Sequence, residues 1–199
     1  MSDTSILETL PESLELYLGS KRTQTAVDTL LGTKPNPPGD FDWKKMDFYY
    51  SAVLSAHQVR CEYAKLLSRT FREIWSCDLI ESRFRQLSVV DSMLSVETVW
   101  TERQLSMLFG ENGCHPEYTL EFSVYAWPDE GIRIYASLVH SSKPTRELLK
   151  LPRDNWTFED GELWTHKGAH PFGAGKAVPI NELKQKASVA IEVAKETIA

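Results

Sequence analysis

Residues 118–140 read Tyr-Thr-Leu-Glu-Phe-Ser-Val-Tyr-Ala-Trp-Pro-Asp-Glu-Gly-Ile-Arg-Ile-Tyr-Ala-Ser-Leu-Val-His. Two runs of period-two alternation flank a turn rich in Pro, Asp and Gly, the pattern of a β-hairpin. Leu120, Phe122, Val124 and Ala126 share one face of the first strand, and Ile132, Ile134, Ala136 and Leu138 share one face of the second. For both sets to face the same way, the numbers of paired residues must sum to an even value, so the loop has an odd length. The expected loop is Asp129-Glu130-Gly131, with Gly131 left-handed in a bulge. That register sets Ala126 opposite Ile134, Val124 opposite Ala136 and Phe122 opposite Leu138.

The other face then carries Trp127 opposite Arg133, Tyr125 opposite Tyr135, and Ser123 opposite Ser137. It is aromatic and mixed rather than charged. Either another layer covers it, or it is a surface for a ligand or partner.

A hairpin needs a layer to pack against, and residues 43–75 supply one. They contain no Pro or Gly and read as one long helix. Met46, Tyr50, Val53, His57, Cys61, Ala64, Phe71 and Trp75 form its tightest stripe, widened by Tyr49, Ala56, Tyr63, Leu67 and Ile74. His57 and Cys61 are expected in the core. Arg60, at the stripe's edge, needs a counter-charge. A C-terminal helix over 180–198 carries a second stripe of Leu183, Ala187, Ala190, Ile191, Ala194 and Ile198.

The region 78–110 is ambiguous. Leu94, Val96, Thr98 and Trp100 alternate, which predicts a strand from about 93 to 100 after a helix or loop. Residues 103–109 read as a second strand that pairs with 118–127, although Thr101 with Gln104 fits a helical capping box. Trp156 to Trp164 reads as a second hairpin, with a two-residue Asp160-Gly161 loop and Phe158 opposite Leu163.

Residues 1–32 read as a helical arm. Pro11 and Gly19 bound a helix, and Thr23 caps a second one closed by Gly32. The arm packs on the body or on a partner. The Pro-rich stretch 33–40 links it to a single α+β domain over 41–199. The fold class is therefore α+β: a mostly antiparallel sheet of five or six strands (about 93–166), packed against the long helix (43–75) and the C-terminal helix (180–198).

Composition narrows the function classes. The chain has 199 residues with 42% hydrophobic and 25% charged side chains, enough for a sizeable core. A formal net charge of −6 argues against sequence-independent nucleic-acid binding. The three cysteines include no Cys-x-x-Cys pair, so no disulfide framework is expected. The N-terminus has no secretory pattern and no run is long enough to span a bilayer, so a cytoplasmic protein is expected.

No motif fixes an activity. Gly173-Ala-Gly175-Lys176 lacks the spacing of a phosphate loop. His166 and His170, with Asp160 and Glu162 nearby, are a weak metal or acid–base set. Cys114-His115 is no nucleophile pair, and Glu121 and Asp129 lack the lysine of a metal nuclease. No catalytic residue, metal ligand or cofactor is assigned.

The reading favoured by the residues is a non-catalytic protein-binding module, a regulator, inhibitor or immunity-type protein. It would engage another protein through Tyr125, Trp127, Arg133 and Tyr135, with self-association through the N-terminal arm as a further expectation. Tyr, Trp and Arg are the usual interface anchors. The alternatives are a metal-dependent hydrolase or nuclease using His166 and His170, and a nucleic-acid binder using the basic 65–85 segment (Lys65, Arg69, Arg72, Arg83, Arg85).

Overall fold

The computed structural model describes residues 10–32, 39–84, 86–111, 117–128, 130–140, 149–159, 163–166 and 180–198. It is an α+β fold built on one six-stranded antiparallel sheet of order β1-β2-β3-β4-β6-β5. The strands are β1 (Leu87–Met93), β2 (Gln104–Glu111), β3 (Tyr118–Trp127), β4 (Gly131–His140), β5 (Trp156–Glu159) and β6 (Leu163–His166). The helices are α1 (Glu12–Gly19), α2 (Lys21–Leu30), α3 (Met46–Ile74), α4 (Cys77–Arg83), α5 (Val96–Glu102) and α6 (Ile180–Ile198), with a 3-10 turn at Trp43–Lys45 leading into α3.

The central hairpin buries the expected faces. Leu120, Phe122, Val124, Ala126, Ile132, Ile134, Ala136 and Leu138 all lie in the core. The register differs by two residues. Ala126 pairs with Ile132, Val124 with Ile134, Phe122 with Ala136 and Leu120 with Leu138, and Trp127 faces Gly131. The cause is the proline. The turn starts at Trp127, whose carbonyl accepts the Glu130 N–H at 3.1 Å, so Pro128 takes the second turn position that suits its fixed φ. Gly131 follows with φ 86°, the left-handed conformation expected of it.

The second hairpin also shifts. Phe158 pairs with Trp164 rather than with Leu163, and Glu159 faces Leu163. An even-sum register sends Trp156, Phe158 and Trp164 to the same side. Trp156 and Trp164 are buried there, and the Phe158 and Trp164 rings meet at 5.1 Å. The expected Asp160-Gly161 loop lies outside the described residues.

The expected strand over 93–100 is not formed. The strand precedes it, as β1, and residues 96–102 are the helix α5. Met93 faces Ser106 across an antiparallel pair, so the chain must reverse between them. Ser95 makes the reversal helical: its Oγ accepts the Thr98 N–H at 3.0 Å, an N-cap. Val99 and Trp100 are buried, and Arg103 closes the helix in the left-handed region at φ 54°. Strand β2 pairs with β3 as expected, so the capping box at Thr101 and Gln104 is not used.

α3 crosses the face that carries Phe122. Trp75 stacks on Phe122 at 4.4 Å and donates Nε1–H to the Ser123 carbonyl at 3.0 Å. The Tyr63 hydroxyl donates to the Ala126 carbonyl. The helix is turned from the expected orientation by about a quarter of its circumference. Ala56, Val59, Tyr63, Leu66, Leu67, Thr70, Phe71 and Ile74 are buried, while Met46 and Tyr50 are exposed. Cys61 is exposed and His57 only half-buried, so neither is the core residue expected. The residues that widened the stripe in sequence are the centre of the real buried face. α6 buries Leu183, Ala187, Ala190, Ile191 and Ala194 as its stripe predicts.

α1 begins only after Pro11, and the capping residue of α2 is Ser20, not Thr23: its side chain accepts the Thr23 N–H at 3.3 Å. Both helices place side chains in the main core, notably Leu14, Tyr17, Leu18 and Val27. Arg103 joins them to the body. Its guanidinium lies 3.8 Å from the Trp100 ring centre, 5.4 Å from Tyr63 and 5.7 Å from Tyr17, and it pairs with Asp28 at 3.0 Å. Among the described residues no helix is long and apolar enough to cross a membrane.

Candidate interaction face

The face of the sheet opposite α3 is set by the odd-numbered residues of β3 and β4. Strand register lines it up in rows: Gln104, Tyr125 and Arg133; Ser106, Ser123, Tyr135 and Thr165; Leu108, Glu121 and Ser137. The expected pairs Trp127–Arg133, Tyr125–Tyr135 and Ser123–Ser137 are therefore replaced. Trp127 faces Gly131, Tyr125 faces Arg133 and Ser123 faces Tyr135.

The two-residue shift keeps the four singled-out residues together. Tyr125 and Tyr135 meet edge-on at 5.4 Å, and Tyr125 lies 5.7 Å from Trp127. Arg133 Nη2 pairs with Glu130 at 3.2 Å, while its Nε is buried with no hydrogen-bond partner among the described residues. Trp127 is 37% exposed, and Tyr125, Arg133 and Tyr135 are half-buried. Phe122, which stacks on Trp75 at the end of α3, belongs to the opposite face.

Beside the rings is a polar network that the sequence reading missed. Ser106 Oγ and Ser123 Oγ lie 2.8 Å apart, and Gln104 Nε2 donates to both. Ser123 Oγ donates to Glu121 Oε1 at 3.0 Å. Ser106, Ser123, Ser137 and Thr165 are buried. Small hydroxyl residues thus form a floor beside half-buried rings. The signal was present as Gln104, Ser106 and Ser123 on alternate positions of neighbouring strands. Only the β2–β3 register brings them into contact.

Most of the other candidates fall outside the described residues. The His166 backbone lies in β6, and His170, Asp160 and Glu162 lie outside the described residues, as do Cys114, His115 and Asp129. No group of three or more His, Cys, Asp or Glu among the described residues can hold a metal ion. His140, buried at the end of β4, has Nε2 3.0 Å from Glu117 Oε1 and its ring against Tyr118. In the 65–85 segment, Lys65 pairs with Glu62 at 2.8 Å and Arg83 with Glu192 at 3.1 Å, so two of the five cations have acidic neighbours. Arg85 is not described. Arg60 Nε is buried without a partner among the described residues, so the expected counter-charge is not found at that atom.

Burial pushes the Tyr63 hydroxyl far above the ordinary tyrosine range. The nearby Arg103 charge opposes that rise, and Tyr17 and Tyr125 add to it. Tyr63 is therefore a neutral donor at neutral pH.

No protein-family model, no curated protein and no solved structure matches this chain.

Proposed function

We propose that the protein is a non-catalytic, cytoplasmic binding module of the regulator, inhibitor or immunity type. It docks another protein on the sheet face formed by Tyr125, Trp127, Arg133 and Tyr135. The observation that carries this reading is Trp127. A large ring stands partly exposed at the end of the central hairpin, backed by two tyrosines. Aromatic and arginine side chains on rigid strands are the usual anchors of protein interfaces.

The test is a double substitution, Trp127→Ala with Arg133→Ala, compared with the parent chain for capture of partners from its native cell. The expected result is loss of a specific partner with the thermal midpoint nearly unchanged. A double variant that unfolds, or one that retains every partner, overturns the reading.

A further inference from the structure

α3 has two apolar faces, and the sheet covers only one. Residues 48–59 contain no Asp, Glu, Lys or Arg, a stretch of about 18 Å of uncharged helix. Tyr50 is 57% exposed there and Leu54 69%. Met46, just before, and Cys61, just after, are also exposed, and Val53 and His57 are half-buried. These residues repeat at intervals of three and four, so they form one stripe pointing away from the sheet. Trp43, 78% exposed, extends it at the N-terminal end. The rings at that end are already ordered: Phe41 packs on Trp43 at 5.8 Å and on Tyr49 at 5.4 Å, and Tyr49 packs on Tyr50 at 5.8 Å.

We propose that this outward stripe pairs with the same stripe of a second copy of the chain. The area left bare favours a second copy. At about 200 Å² for a whole aromatic side chain, Trp43, Tyr50, Met46 and Leu54 leave about 400 Å² of apolar surface bare. A little over half of an interface is apolar, so a pair burying both patches covers about 1,400 Å² in all, within the range of specific dimers.

The arm is a poorer surface for self-association, because Leu14, Tyr17, Leu18 and Val27 are already packed inside their own chain. This surface is distinct from the sheet face, so either proposal can fail alone.

Sedimentation velocity of the full chain tests it. The expected species at micromolar concentration has twice the 22.7 kDa of one chain. Tyr50→Glu with Leu54→Glu, both at exposed sites, should weaken the dimer by about a hundredfold or more while helicity is retained. Trp127→Ala with Arg133→Ala should remain a dimer. A chain that is monomeric at every soluble concentration overturns the proposal, as does a dimer that survives the two glutamates.

Discussion

Arg103 is the residue on which most separate parts of the chain meet. It faces Tyr17 of α1, Tyr63 of α3 and Trp100 of α5, pairs with Asp28 of α2, and accepts the Ala126 N–H at its carbonyl. Its charge is stabilised by ring faces and one carboxylate rather than by water. Arg103→Ala should lower the unfolding free energy by about 3 kcal/mol in urea titrations, and Arg103→Lys should recover only part of it, because an ammonium lacks the planar stack. Tyr63 beside it makes a pH prediction. Its folded pKa lies above the unfolded value, so its contribution is fully present below about pH 10 and is lost as pH rises further. Tyr63→Phe should cost about 1 kcal/mol at neutral pH through the lost hydrogen bond to Ala126. The gap between the two proteins should close between about pH 9 and 11 in parallel denaturant titrations. A gap that stays constant would show that Tyr63 does not ionise on unfolding.

At the scale of elements, turn and cap residues decide what alternation leaves open. Gly131→Ala should lose about 1 to 2 kcal/mol of stability, because φ 86° is strained for any residue with a Cβ. Ser95→Ala should lose about 1 kcal/mol by uncapping α5. These two sites also explain what was legible in the sequence. The buried faces of β3 and β4 were readable, because every second residue is apolar. A period of two cannot distinguish registers that differ by two, and the pairing was fixed by Pro128 entering the turn. Leu94 to Trp100 alternates too, but the Ser95 cap outweighs a pattern of only four residues. In α3 the periodicity was real and its assignment was wrong. With apolar residues on two faces, spacing alone does not say which one the sheet takes. Tyr125, Trp127, Arg133 and Tyr135 were legible as a group because a shift of two preserves parity. The Gln104–Ser106–Ser123–Glu121 network was not, since it depends on contacts between strands.

For the molecule as a whole, the first 32 residues matter through the core they complete. Tyr17 and Leu14 are fully buried against the body. Deleting residues 1–32 should therefore lower the thermal midpoint by several degrees or abolish cooperative unfolding, as followed by circular dichroism. An unchanged midpoint would mean that the arm only rests on the surface.

The sheet has two borders, β1 and β5. β5 has four residues, too short a row to template another chain. β1 is longer, and it carries exposed Val89 and Val90. Its pairing is interrupted between Val89 and Asp91, which leaves Val90 as an extra residue. That irregularity breaks the repeat of backbone donors and acceptors along the longer of these two borders. It therefore guards the protein against edge-to-edge growth into fibres.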